Sequence, residues 1–172
     1  MSPDASRVLA REVPDAYSHV DPWLISSDTD AEITFLREVF GATERPHSRV
    51  LNGDGSIGHV EVTMGDTVLL MFDRQPGWPA TPAHLRVYVQ DTAMTAEQAV
   101  ASGARLVTRP TDLAFGERVA RVRDPQGHLW WLHQRLETFD PAEMTARFAE
   151  PTFQTAMRYV QESLARELAS TS

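Results

Sequence analysis

An internal repeat constrains the fold of this chain more than any other feature of its sequence. Gly41-Ala42 recurs as Gly103-Ala104, and Gly65 recurs as Gly127, each displaced by 62 residues. The first pair follows predicted helices and the second lies in predicted turns between strands, so the order of elements agrees as well. The repeat predicts an α+β fold made of two β-α-β-β-β modules, over residues 20–74 and 83–136.

The second module ends in a predicted β-hairpin. An alternating segment, Val119–Arg123, is followed by the turn Asp124-Pro125-Gln126-Gly127 and by a second apolar run, Leu129–Leu132. Proline at the second place and glycine at the fourth are typical of a type I turn. Two adjacent tryptophans, Trp130 and Trp131, lie on this hairpin together with two histidines, so we expect it to form one wall of a pocket.

Three segments lie outside the modules. Residues 1–19 are predicted to form an N-terminal arm, and residues 74–82 form a Pro/Gly-rich linker that either only connects the modules or covers a pocket with Trp78. Residues 137–172 are predicted to form a helical extension, because Asp140-Pro141 is typical of a helix start. An apolar stripe there needs a partner surface on the same chain or on a second copy; it comprises Phe153, Met157, Val160, Leu164 and Leu168.

Composition excludes several classes of function. The net charge of −8 over 172 residues, without a basic cluster, argues against nucleic-acid binding. The absence of cysteine excludes disulfides and thiolate metal sites. No apolar run approaches the roughly 20 residues needed to span a bilayer, so no membrane partner is expected. The polar N-terminus lacks the apolar core of a secretory signal, which predicts a cytoplasmic location.

Alternation along the strands predicts which side chains line the pocket. On residues 84–90, Leu85, Val87 and Val89 are expected to cover helices, which leaves the polar set on the other face. The same reasoning places Trp130 in the core. The complete expected lining comprises Asp21, Trp23, Glu61, Leu69, Met71, His84, Arg86, Tyr88, Trp131 and His133. Aromatic walls with sparse polar groups suit a planar small molecule, and the acidic chain favours a cationic one.

Several short motifs resemble those of the vicinal oxygen chelate superfamily, the group of glyoxalases, bleomycin-resistance proteins and extradiol dioxygenases. They are Phe115-Gly116-Glu117-Arg118, the turn 124–128 followed by Trp130, His84-Leu85 with Asp91, and the helix end 102–105. The resemblance covers residues 20–136 and is nearest to the uncharacterised glyoxalase-like branch. It implies curved mixed sheets around a shared cavity, and a homodimer.

The resemblance also implies where a divalent metal would be held, by one side chain from each of four strands. Those positions fall on Asp21, Leu69, His84 and Trp131 in this sequence. Two of the four cannot coordinate a metal, and a catalytic site needs about three protein ligands. We therefore predict no metal and no cofactor.

Three functions follow from this reading. The first is metal-independent binding of an aromatic or cationic small molecule such as an antibiotic. The alternative is a lyase, isomerase or cyclase in which His84 acts as general acid or base and Asp21 orients it, with or without a divalent metal. In the third, the C-terminal helices bind a partner and the chain is a scaffold.

Overall fold

The structure, a computed structural model, describes residues 13–14 and 16–170, so the predicted N-terminal arm lies largely outside the described residues. The first module comprises β1 (Trp23–Ser26), α1 (Thr29–Phe40), β2 (Thr43–Glu44), β3 (Val50–Leu51), β4 (Ile57–Met64) and β5 (Thr67–Asp73). The second comprises β6 (His84–Tyr88), α2 (Thr92–Ala101), β7 (Arg105–Asp112), β8 (Glu117–Arg123) and β9 (Leu129–Arg135). Two helices follow, α3 (Pro141–Ala149) and α4 (Pro151–Ala169). None of the described helices is long and apolar enough to cross a membrane.

Both modules build the same kind of sheet. The first has the strand order β1-β5-β4-β2, with β3 also paired to β4, and the second has the order β6-β9-β8-β7. In each, the first strand runs parallel to the last strand of its module, and the other pairs are antiparallel. The α+β fold of two repeated modules is therefore confirmed.

The helices begin and end where the sequence supplies caps. The side chain of Asp28 accepts a hydrogen bond from the backbone N–H of Ala31 at 2.9 Å and caps α1, and Asp91 caps α2 in the same way. Gly41 ends α1 in the left-handed conformation, with φ of 68°, which costs a residue without a side chain little. Both helices pack on one face of their sheets and contact each other, which creates a single core. We call the opposite face of each sheet its open face.

The turn between β8 and β9 joins the two modules. It closes with a hydrogen bond from Gly127 N–H to the carbonyl of Asp124 at 3.1 Å, as a β-turn requires. The side-chain oxygen of Gln126 accepts hydrogen bonds from the backbone N–H groups of Ser27 and Asp28, at 3.0 and 3.1 Å. The second module thus binds the chain that enters α1, on the helix side of both sheets.

The C-terminal extension packs on its own chain. Helix α4 lies on the open face of the second sheet, where Ser163 Oγ is 2.8 Å from Thr108 Oγ1, and Arg121 donates to the carbonyl of Val160 at 2.8 Å. The predicted apolar stripe describes this contact only in part, because Val160 is buried while Leu168 is exposed. The buried face of α4 is largely polar since the sheet beneath it carries arginines.

Candidate functional site

The open face of the first sheet carries a row of aromatic side chains. Trp23 on β1 lies edge-to-face against His59 and against Phe72, with ring centroids 5.6 and 5.4 Å apart. Phe72 in turn meets Trp78 from the linker at 6.2 Å. Trp23 and Trp78 remain 49% and 50% exposed, so this aromatic row (Trp23, His59, Phe72, Trp78) is accessible to a planar molecule.

Glu61 on β4 supplies the charge beside the aromatic row. Its carboxylate accepts hydrogen bonds from Arg45 at 2.7 Å and from the hydroxyl of Tyr17 at 2.7 Å, and it lies 3.3 Å from His59 Nε2. The Tyr17 hydroxyl, with His59 and Arg45, lowers the pKa of Glu61. Glu61 is therefore ionised near neutral pH, and Arg45 compensates its charge.

The expectation that Leu69 and Met71 face the pocket is wrong. Both side chains are buried in the core on the helix side of β5, and Leu70 and Phe72 occupy the open face instead. The 62-residue displacement relates Leu69 to Trp131, but it does not preserve the face of the strand. The turn between β4 and β5 has two residues and the loop between β8 and β9 has five, so the two modules differ here by an odd number of residues. A shift by one residue moves a side chain to the other face of a strand.

The alternation predicted for the second sheet is confirmed. His84, Arg86 and Tyr88 on β6 are exposed, Tyr88 at 54%, while Leu85 and Val87 pack against the core. Trp131 shares this open face, and its ring centroid lies 6.4 Å from that of His84.

Trp131 also contacts the neighbouring strand. The guanidinium carbon of Arg121 on β8 lies 3.8 Å from the Trp131 ring centroid, a cation–π contact. Burial beneath α4 lowers the pKa of Arg121 to about 10, which still leaves it charged at neutral pH.

His133 and Glu117 form a polar pair on this open face, and only His133 was among the expected lining residues. His133 Nδ1 lies 2.7 Å from a carboxylate oxygen of Glu117, and the hydroxyl of Tyr88 donates to the other oxygen at 3.2 Å. Nδ1 donates to the carboxylate, so the neutral ring of His133 has its lone pair at Nε2, which is buried and has no hydrogen-bond partner among the described residues. Glu117 is not among the expected lining residues, although alternation along β8 places it on the face of Val119 and Arg121.

A sequence model described as the Glyoxalase/Bleomycin resistance protein/Dioxygenase superfamily matches residues 16–132. The chain belongs to this superfamily. The match spans both modules, from the segment before β1 to the middle of β9.

Three proteins similar to this chain are one sequence relative and two solved structures. An uncharacterized protein of Mycobacterium bovis is 27% identical over 138 residues, covering 74% of this chain and 90% of that protein. The crystal structure of TioX from Micromonospora sp. ML1 is 28% identical, with a TM-score of 0.56 over 69% of this chain and 99% of TioX. The fosfomycin resistance protein FosX from Listeria monocytogenes, solved with Mn(II) and sulfate, has 17% identity and a TM-score of 0.54 over 74% of this chain and 97% of FosX. The last likeness shows a shared fold.

The residues at the superfamily's metal positions do not fit a divalent ion. On β5, neither Leu69 in the core nor Leu70 on the open face can coordinate a metal, and Trp131 offers an indole that makes a cation–π contact with Arg121. Asp21, before β1, accepts a hydrogen bond from the backbone N–H of Ser18 at 3.2 Å. In the part of the chain that the structure describes, no hydrogen bond or ion pair joins Asp21 to His84, so the predicted pairing of these two is not formed within one chain.

One group of three ligating side chains does occur among the described residues, but it lies on the helix side. Atoms of Glu32, Asp124 and His128 lie within 4.8 Å of one another, and all three side chains are buried. His128 Nδ1 accepts a hydrogen bond from the N–H of Ala83 at 3.0 Å, so the neutral ring carries its proton on Nε2, 3.2 Å from Ser26 Oγ. Both nitrogens of His128 are thus engaged, Nδ1 within the second module and Nε2 with Ser26 of the first.

The two carboxyl groups of this buried cluster, Asp124 and Glu32, lie in different surroundings. Asp124 accepts hydrogen bonds from the backbone N–H groups of Gln126 and His128, both at 2.9 Å, and from Trp130 Nε1 at 2.7 Å, which favours its ionised form. Burial, followed by the nearby charge of Asp124, raises the pKa of Glu32 to about 9. A neutral Glu32 avoids repulsion by the nearby charge of Asp124, and neither carboxyl oxygen of Glu32 has a hydrogen-bond partner among the described residues.

Proposed function

We propose that this protein binds a planar aromatic small molecule on its open faces without a divalent metal. The aromatic row of the first sheet carries this proposal. Two indole rings that stay half exposed, each in edge-to-face contact with Phe72, offer apolar surface and π-faces to a ligand. Large exposed aromatic surface beside a few placed polar groups is typical of a small-molecule site.

The charges on the open faces favour a neutral or anionic ligand over a cationic one. Arg45 already compensates the carboxylate of Glu61 at 2.7 Å. Arg86, by contrast, is exposed on the second sheet and forms no ion pair within the described residues, where its contact is with the ring of Tyr88. An aromatic compound that carries a hydroxyl or carboxylate group is the ligand class that this distribution fits best.

We further propose that a homodimer completes the site. Within the described chain, the contacts between the two modules lie on the helix side, as between α1 and α2 and between Phe40 and Trp130. The open face of the first sheet stays exposed, as does the β6 side of the second, which α4 leaves uncovered, so a cavity enclosed by the first and second sheets requires a second copy of the chain. Native mass spectrometry is expected to show a dimer, and a monomer that binds ligand with full affinity would overturn this part of the proposal.

Ligand binding is tested with a panel of aromatic compounds. The superfamily's description includes bleomycin resistance proteins, so the panel contains aromatic antibiotics as well as simple anionic, phenolic and cationic aromatics. We expect phenolic or anionic members to raise the melting temperature and quench tryptophan fluorescence. If only cationic members do so, the assigned ligand class is wrong, and if no member does so the proposed function fails.

Variants and a chelator locate the site. Trp23→Leu is expected to weaken binding about tenfold or more, because it removes one stacking surface. Phe148→Leu, at an exposed aromatic residue on α3, is the matched control and is expected to bind normally. Binding should persist after dialysis against EDTA. A loss that Mn²⁺ restores would overturn metal independence.

The arrangement of Glu117 and His133 favours one other candidate, an acid–base enzyme of the lyase, isomerase or cyclase type. A carboxylate that orients Nδ1 leaves Nε2 of the same ring to take or give a proton. In this form of the proposal His133 replaces His84 as the acid or base. Mass spectrometry of each bound compound after incubation tests it: His133→Asn should abolish turnover. If His84→Asn abolishes turnover and His133→Asn does not, the assignment to His84 is right.

A further inference from the structure

The segment before β1 places a tyrosine on the open face of the first sheet. The hydroxyl of Tyr17 donates to Glu61 at 2.7 Å, and the guanidinium carbon of Arg45 lies 4.8 Å from the centre of its ring. Arg45 also donates to the same carboxylate. Tyr17 is therefore held by two groups: a carboxylate on β4 that accepts a hydrogen bond from its hydroxyl, and a cation over its π-face.

This contact is the main attachment of a loosely held segment. Of the described residues 13–14 and 16–20, Tyr17 alone donates a hydrogen bond to the first sheet, and the other bonds lie within the segment or reach Asp21. Val20 is 82% exposed. Ala16 has a φ of 70°, a left-handed conformation that is unfavourable for an alanine.

The segment also borders open space. A shallow surface pocket of 490 Å³ is lined by residues 13–14, 17–19 and 21. This volume lies in the range of sites for small molecules, about 300–1,000 Å³. The space beside Tyr17 is thus large enough to receive either a ligand or the displaced tyrosine ring.

We propose that Tyr17 occupies the place of the ligand, and that the ligand presents a phenolic hydroxyl to Glu61 with its ring beneath Arg45. This inference rests on the proposed function, since it names the ligand group that the first open face recognises. A cationic ring is disfavoured there because Arg45 would repel it. Tyr17 is then an internal competitor, which a phenolic ligand must displace and which covers the carboxylate when no ligand is bound.

The test compares wild type with Tyr17→Ala by calorimetry, with 2-naphthol as probe. Removal of the competitor should tighten binding of 2-naphthol about tenfold, the fold-change expected for a competing hydrogen bond to a charged group. The probe 2-methoxynaphthalene, which has a similar ring but no donor, should show no such gain. Adding Glu61→Gln to Tyr17→Ala should remove the gain for 2-naphthol, and should this double variant unfold, the comparison of the two probes still tests the role of the carboxylate.

Three results would overturn the inference in different ways. Equal affinity of wild type and Tyr17→Ala for 2-naphthol means that Tyr17 is not a competitor. An equal gain for 2-methoxynaphthalene means that the hydroxyl is not recognised, so the ligand class is wrong. In both cases binding of other aromatic compounds by wild type leaves the proposed function standing, whereas the absence of binding by any aromatic compound, to either protein, ends both proposals.

Discussion

The side chains of Glu32 and Asp124, which belong to different modules, meet within 4.8 Å in the buried junction beneath α1. Both are shielded from solvent, and Asp124 accepts three hydrogen bonds from N–H donors. Glu32, whose pKa is raised from 4.5 to about 9, is neutral near pH 7. The buried contact between the two modules therefore includes a carboxyl group that keeps its proton.

This relationship predicts a stability that falls as the pH rises. The folded pKa of Glu32 lies above its unfolded value, so its contribution is fully present below about 4.5 and is lost as the pH rises through about 9. Between these values unfolding releases one proton, which corresponds to at most about 1.4 kcal/mol of unfolding free energy per pH unit. Urea denaturation of wild type from pH 6 to pH 9 should show this decline.

Glu32→Gln should remove the decline while keeping the size and shape of the buried side chain. Its side-chain amide has no proton to lose in this range, so the stability of the variant relative to wild type should rise with pH. Glu38→Gln, at an exposed position on the same helix, is the control and should follow wild type. Parallel pH profiles for wild type and Glu32→Gln would show that Glu32 is not the titrating group.

The elements of the fold could be predicted because their signals are local. A glycine after a helix, an Asp-Pro-x-Gly turn and a Pro after an N-cap Asp each act within a few residues. Alternation also assigned the faces of β6 and β9 correctly. The prediction is wrong at Leu69 and Met71 because their face was taken from the repeat. The repeat does not preserve the length of the turn before β5.

The contacts that complete the site depend on register and on long-range packing. The bond between Glu117 and His133 requires β8 and β9 to pair with Val119 opposite His133, which no short motif specifies. Tyr17 reaches Glu61 across 44 residues of sequence. Burial of Ser163 and Glu167 on α4 runs against the apolar stripe, because their partners are polar groups of the second sheet.

Adjacent tryptophans on β9 should respond differently to the same substitution. Trp130 is fully buried and donates to Asp124 at 2.7 Å, so Trp130→Phe leaves a gap and deprives a buried carboxylate of a donor. We expect it to cost about 2–4 kcal/mol of unfolding free energy. Trp131→Phe keeps a ring over Arg121 and should cost about 1 kcal/mol or less.

Ligand affinity should be affected in the opposite order, more by Trp131→Phe than by Trp130→Phe. Trp131 lies on the open face near His84, so Trp131→Phe is expected to weaken binding of aromatic compounds, whereas Trp130→Phe should bind them normally at temperatures where it is folded. Chemical denaturation and calorimetry on the two variants measure both effects. Equal losses of stability would contradict the assignment of opposite faces.

Glu167 should anchor α4 to the second sheet. Its carboxylate, in a side chain 4% exposed, is ion-paired with Arg105 at 2.7 Å and with Arg123, whose side chain is 12% exposed. Glu167→Gln leaves the arginine charges in this partly buried site without their counter-charge, so we expect a loss of about 2–4 kcal/mol, toward the lower end because Arg105 is largely exposed. In Glu167→Gln, amide hydrogen exchange should accelerate along α4 more than along α1, each relative to wild type.

The matched control is Glu162→Gln, in an exposed pair with Arg166 on the same helix. It should change the free energy of unfolding by less than about 0.5 kcal/mol. Equal effects of the two variants would mean that α4 is held by the contacts of Val160 and Ser163 alone.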